Sequence, residues 1–275
     1  TKNKLGIGIF NAVTAPAYAK LRNTMTGKDS SVQTEPLANY NILVLDQALK
    51  GRSSITFTNT NVIRNAGSPD ANVSALDFSL FDKSNIYNLR GTARYSKIFS
   101  GTPSDGFNTT LRFAKVSGNW QYNIQGNIES ANYNPRDLGF LQAPNEVSVN
   151  SNFGYYHFQP SGALLQYNYR INAYYSRMYQ PGNFNRAFVR GTGFWLFRNF
   201  WDVSLTAGYF PTENDYFVLG DPATYRRFVK RPSYGYIESS GSTDSRKRLY
   251  VRYSVLFSDF FESAPNKAYH AVEGG

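Results

Sequence analysis

The sequence predicts an all-β fold, an antiparallel up-and-down transmembrane β-barrel with about twelve strands in view and belonging to a larger barrel. Three observations predict it. Apolar and polar residues alternate at period two, the connections are sorted by length along the chain, and aromatic residues make up 16% of the 275. The strand-like runs lie near 3–14, 37–47, 53–64, 71–82, 86–98, 107–116, 119–130, 149–158, 163–178, 187–197, 199–210 and 247–257. Connections after even-numbered runs are tight, at 48–52, 83–85, 117–118, 159–162 and 198. Those after odd-numbered runs are as long or longer, at 15–36, 65–70, 99–106, 131–148, 179–186 and 211–246. A soluble sandwich has no reason to sort its loops in this way. An outer-membrane barrel does, with tight periplasmic turns and long loops outside.

The individual runs support that reading. Trp120, Tyr122, Ile124, Gly126 and Ile128 share one face; Gln121, Asn123, Gln125 and Asn127 share the other. Tyr167, Tyr169, Ile171, Ala173 and Tyr175 oppose Gln166, Asn168, Arg170 and Asn172. Val203, Leu205, Ala207 and Tyr209 oppose Asp202, Ser204 and Thr206, and Val251, Tyr253, Val255 and Phe257 oppose Arg252 and Ser254. Successive side chains of a strand point to opposite faces, so each run builds one apolar and one polar surface. The polar surface carries Arg, Asn and Gln and must meet water. The apolar surface meets either a second sheet, as in a sandwich, or lipid, in which case the barrel has a wet lumen. Lipid demands closure, because an open edge leaves backbone groups unpaired.

Mean hydropathy is −0.45, which does not exclude a membrane barrel, because half of each strand faces water. No run approaches the roughly 18 apolar residues of a membrane helix. The 21 Tyr and 21 Phe fit membrane interfaces, where rings with one polar end sit at the boundary. The absence of Cys excludes a disulfide scaffold and a thiolate metal site. The formal charge is +10, but the basic residues are spread along strands rather than gathered in one patch, which argues against nucleic acid. Arg90, Arg94, Arg112, Arg170, Arg190 and Arg252 all fall on polar strand faces. They predict a lumen of positive potential, with scattered surface charge as the alternative. The start at Thr1 without a signal peptide reads as a mature form or a fragment. Residues 1–258 are expected to form the barrel, and 259–275 a periplasmic segment leading to further strands.

Several stretches then carry a family resemblance: Gly8-Ile9-Phe10-Asn11-Ala12-Val13-Thr14; Thr34-Glu35-Pro36-Leu37-Ala38-Asn39-Tyr40-Asn41 leading into Val44-Leu45-Asp46-Gln47; Asn59-Thr60-Asn61-Val62 followed by Asp70-Ala71-Asn72-Val73; Tyr133-Asn134-Pro135-Arg136-Asp137-Leu138-Gly139-Phe140; and Ser242-Thr243-Asp244-Ser245-Arg246-Lys247. In combination they resemble the C-terminal barrel region of large Bacteroidota surface proteins, which carry an N-terminal sandwich similar to family 9 carbohydrate-binding modules. The resemblance implies a bacterial outer-membrane location and a longer parent. It implies no reaction, and carbohydrate binding does not transfer, because the sandwich module is not in this chain.

The chemistry-bearing residues are few. His157 and His270 are the only histidines, and no spacing marks a nucleophilic Ser beside either. Glu213, Asp215, Asp221 and Asp244 lie in the 211–246 loop without the spacing of a calcium loop. Loop candidates for ligand contact are Tyr133, Arg136 and Asp137, with Arg136 and Asp137 as a local ion pair, and Arg226, Arg227, Asp244 and Arg246 in the later loop. Their first reading is packing, as loops ordered against the wall or folded into the mouth. The expected role is a channel, anchor or docking platform without catalysis in this segment, the alternative being the barrel part of a hydrolase acting on carbohydrate or another surface polymer. No cofactor and no metal is implied. Expected partners are outer-membrane lipid, an anionic solute or glycan, and other outer-membrane proteins.

Overall fold

The computed structural model describes residues 4–65, 67–102, 104–139, 141, 144–216, 218, 227–261 and 270–274. In chain order its strands are β1 (Leu5–Thr14), β2 (Ala17–Arg22), β3 (Asp29–Glu35), β4 (Ala38–Ala48), β5 (Ser54–Arg64), β6 (Asp70–Phe81), β7 (Tyr87–Phe99), β8 (Ser104–Lys115), β9 (Trp120–Glu129), β10 (Glu146–His157), β11 (Leu164–Met178), β12 (Phe184–Phe197), β13 (Asp202–Phe210), β14 (Glu213–Asp215), β15 (Val229–Arg231), β16 (Tyr234–Ser242), β17 (Arg252–Phe260) and β18 (His270–Gly274). Fourteen form one sheet in the order β1-β4-β5-β6-β7-β8-β9-β10-β11-β12-β13-β16-β17-β18, and β2-β3 and β14-β15 are separate hairpins. The all-β, antiparallel, neighbour-to-neighbour reading therefore holds. The closed barrel does not: β1 and β18 end the order and are not paired with each other, so no sheet closes. No helix among the described residues is long and apolar enough to cross a membrane.

The sheet has two strands more than the twelve runs read from the sequence. β16 lies inside the expected 211–246 loop, and β18 lies inside the segment expected beyond the barrel. The expected loop 15–36 holds the β2-β3 hairpin, whose strands are almost wholly exposed. Loop sorting survives where the connections are longest, at 15–37, 130–145 and 211–233, which all leave the same ends of their strands. It is lost at 65–69, 100–103 and 179–183, whose four or five residues fall within the range of the turns opposite. Five of those opposite turns contain a residue with positive φ: Gly51 (72°), Asn85 (56°), Gly118 (83°), Gly162 (56°) and Phe200 (62°). Glycine and asparagine reach this region at little cost, which is how the strands reverse in so few residues. The 82–86 turn is also held by Asp82, whose Oδ1 accepts the backbone N–H groups of Ile86 and Tyr87, both at 2.8 Å.

The chain divides into two compact units, Thr1–Leu80 with Gly91–Thr109 and Glu129–Pro144, and Phe81–Arg90 with Thr110–Ile128 and Asn145–Gly275. In the second unit, register continues the alternation from strand to strand. Arg170 faces Gly154 and Thr192 across its two neighbours, and Ile171 faces Phe153 and Gly191. One face thus collects Gln121, Asn123, Asn152, Arg170, Thr192 and Ser204, and the other collects Trp120, Ile124, Phe153, Ile171, Trp195 and Leu205. The second set is exposed rather than packed: Trp120 is 50%, Ile124 54% and Ile171 55% accessible. In the first unit one face carries Ile7, Ile9, Leu43, Phe57 and Leu76 and is crossed by an asparagine row from Asn11 through Asn41 and Asn61 to Asn72. The opposite face carries Phe10, Ile42, Thr60 and Val73, and at its loop end Ala38, Val62 and Ala71 are buried. Among the described residues the buried apolar set contains only four more members, Ala114, Tyr133, Met178 and Tyr216. Hydrophobic burial within the chain is therefore slight for a sheet of this size.

Candidate functional site

The six arginines expected to line a basic lumen differ in their immediate surroundings. Arg94, in the first unit, donates to Asn108 Oδ1 at 3.3 Å and lies 3.9 Å from Asp77, which also accepts Thr92 Oγ1 at 2.6 Å. Arg190 faces Asn172 and Gly208 across its neighbours and sits over the Phe188 ring, 6.0 Å from the centroid. Arg252 pairs in register with Ser242 and lies over Tyr250. Arg90 is exposed. Arg112 and Arg170 are brought together. They line one cavity of about 120 Å³ with Lys115, Gln121, Asn123, Asn152, Gly154 and Tyr156. Lys115 was not readable from the sequence. Alternation places it with Phe113 on the apolar face, but it ends β8, and there its long side chain turns toward the Gly118 turn and the cavity.

The 131–139 segment packs as the loop reading expected, by a different ion pair. Asp137 pairs with Arg64 of β5, not with Arg136. Arg136 instead donates from Nε to Leu141 O at 3.1 Å. Asn134 N–H donates to Ser96 Oγ at 3.0 Å, and Phe107 N–H donates to Ser130 Oγ at 2.8 Å. Tyr133 is buried at 4% exposure. Burial pushes its phenol pKa up, Arg94 pulls it down and Glu129 adds to the rise. Gly106 makes this seat: a Cβ there would lie 2.3 Å from the Tyr133 backbone nitrogen. Under the segment remains a cavity of about 230 Å³ lined by Thr58, Thr60, Val73, Ala75, Arg94 and the segment itself. Phe140 lies outside the described residues.

Of the later loop candidates, Arg226 lies outside the described residues, as do Asp221 and Tyr225, and Arg227 is exposed. Asp244 and Arg246 are corrected in place. With β16 between them and the 211–233 loop, they belong to the 243–251 turn, at the opposite strand ends. They form a two-pronged pair, Nε to Oδ1 at 2.8 Å and Nη2 to Oδ2 at 2.9 Å, with the guanidinium 3.4 Å above the Phe200 ring. The hydrogen bond from Arg246 holds the Asp244 carboxyl at about 2, from an ordinary 3.8, and Asp244 in turn raises Arg246. Arg231 pairs with Asp215 at 2.8 Å. Burial pushes the Glu213 carboxyl up against the pull of Arg186 and Arg231. His157 stacks on Tyr167 at 4.8 Å, and its Nδ1 has no hydrogen-bond partner among the described residues. No group of three or more His, Asp or Glu side chains suited to a metal occurs among the described residues.

No curated protein and no solved structure matches the chain. A family profile described as a domain of unknown function, DUF5916, matches residues 1–273, so the chain belongs to the DUF5916 family.

Proposed function

We propose that this chain is the strand-built, membrane-spanning part of an outer-membrane barrel that serves as a channel, anchor or docking platform. The observation that carries the reading is the exposed apolar face. Trp120, Ile124, Phe153, Ile171, Leu205 and Ile237 each stand 45% or more accessible on one side of adjacent strands. Soluble monomers rarely expose contiguous apolar patches beyond a few hundred Å², and the opposite face of the same strands is polar enough to need water. Lipid on one side and a wet interior on the other satisfies both. Such a sheet must have no open edge in the bilayer, so the reading requires closure, within the chain or with further strands. The basic polar face favours anions as solutes. The long loops face the cell exterior in this reading, and the parent is a Bacteroidota surface protein with a family 9-type module.

The test is heat-modifiable migration of the chain refolded in detergent, with urea-resistant association to outer-membrane vesicles. A folded band that shifts on boiling and stays with the vesicles is the expected result. A monodisperse folded protein in buffer without detergent overturns the reading.

A further inference from the structure

We propose that the cavity between Arg112, Lys115 and Arg170 binds one phosphate group, as the free ion or carried by a small phosphomonoester. The proposal deepens the reading of a wet, positively charged interior and rests on it for solute access to this face. The three cations reach one space from β8 and β11, with β9 and β10 between them. Gly154 pairs with Arg170 on one side and Gln121 on the other, and the Tyr156 ring lies over it, 2.7 Å from where a Cβ would stand, forming part of the cavity wall.

The charge in this cavity is unbalanced. Every other lining residue is neutral. Among the described residues the ion pairs engage Arg22, Arg64, Arg94, Arg231 and Arg246, and none engages these three. The neighbouring asparagines are occupied with one another, Asn152 Nδ2 donating to Asn150 Oδ1 at 2.8 Å. Three like charges around about 120 Å³ repel one another, and an anion between them relieves that repulsion. A cavity of about 120 Å³ has room for one oxyanion. Two planar guanidinium forks and one ammonium match an anion with three acceptor oxygens better than a spherical halide. Arg186 is the contrast on the same face: Tyr174, Glu146 and Glu213 surround it, so it has no anion to recruit.

The experiment is calorimetric titration of inorganic phosphate, glucose 6-phosphate and glucose into the full chain refolded in detergent, in gluconate buffer at low ionic strength. Saturable binding of phosphate at one site per chain, weakening as salt screens it, is expected. Arg112→Gln and Arg170→Gln should each weaken it about tenfold or more, Arg170→Lys by less, and Arg190→Gln, on the same face outside the cavity, within about twofold. Glucose 6-phosphate binding more tightly than phosphate, with glucose silent, assigns the site to a phosphomonoester; the reverse order assigns it to the free ion. No saturable binding by wild-type protein that still shows a heat-modifiable band overturns the site and leaves the barrel standing. Equal losses in Arg170→Gln and Arg190→Gln also overturn it, because diffuse potential would then be the cause. Binding by a chain that folds without detergent would keep the site and remove the barrel.

Discussion

Each of the two compact units treats one of its own strand faces in its own way. In the first, the face that carries Thr58, Thr60, Val73 and Arg94 is covered by the 131–139 segment, with Tyr133 buried and Asp137 clamped to Arg64. In the second, the face that carries Asn123, Asn152, Arg170 and Thr192 has a small open cavity and unpaired cations. The cover follows polarity. Where the face includes Tyr40, Val62, Ala71, Val73 and Ala75, water is a poor neighbour and a loop that can bury them is stabilised. Where the face is amide, hydroxyl and guanidinium, a loop would strip water from polar groups without replacing every hydrogen bond. The apolar faces differ too. In the first unit Asn11 donates to Asn39 and Asn41, and Asn59 to Asn72. This row lets polar side chains satisfy one another on a face otherwise made of Ile, Leu and Phe. No such row crosses the apolar face of the second unit.

The largest effect expected from breaking this contrast comes at the covering segment. Tyr133→Ala removes a large buried side chain that seats it, and loss of a buried aromatic costs about 3–5 kcal/mol. Chemical unfolding should show that loss, and limited proteolysis should then cut near 131–139. Gly106→Ala tests the same seat from below: its Cβ cannot coexist with the Tyr133 backbone at 2.3 Å, so the segment must shift and become cleavable while Tyr133 is unchanged. Cleavage that stays absent in both variants would show that the cover does not depend on this contact.

Next in size is Ile171→Arg on the exposed apolar face of the second unit. At the bilayer midplane it should cost about 2–4 kcal/mol, read as a lower urea midpoint for the detergent- or bilayer-folded chain. Asn61→Arg, on the asparagine row of the first unit, should cost less, because that row already tolerates polar groups. Equal costs at the two positions would erase the distinction between the faces.

How much of this was legible in the sequence follows from period and length. β9, β11 and β13 alternate strictly, and both their extent and their faces were readable from residues such as Trp120, Ile171 and Leu205. β16 was not, because its apolar-side residues are Gly235, Ile237, Ser239 and Gly241; only Ile237 carries the apolar signal of a strand. It is held by pairing with β13 and β17 on either side. The hairpin β2-β3 buries no face and so leaves no alternation to read. The arginine rows were readable from parity. The joining of Arg112 with Arg170 was not, because it depends on the two strands that intervene between β8 and β11. The Arg64–Asp137 pair joins residues 73 apart, beyond any local signal.

A smaller effect separates the pair that clamps the cover from a pair that closes a turn. Arg64 and Asp137 side chains are only 18% and 24% exposed, so Asp137→Asn leaves a largely buried guanidinium with a weaker acceptor. The expected cost is about 1–3 kcal/mol, seen as faster proteolysis at 131–139. Asp244 is buried in the 243–251 turn while Arg246 is largely exposed, and their signature is pH rather than stability at neutral pH. The Asp244 carboxyl titrates at about 2 in the folded chain against an ordinary 3.8. A lowered carboxyl contributes order that is fully present above its unfolded value and is lost as pH falls through the folded one. The 243–251 turn should therefore keep its geometry at pH 4 and lose the Asp244 contribution between about pH 4 and 2. Carboxyl-selective NMR of the folded chain should place the midpoint near 2, and Arg246→Gln should move it toward 3.8. An unchanged midpoint in Arg246→Gln would mean that the backbone N–H of residue 246, not the guanidinium, holds the carboxylate in its charged form.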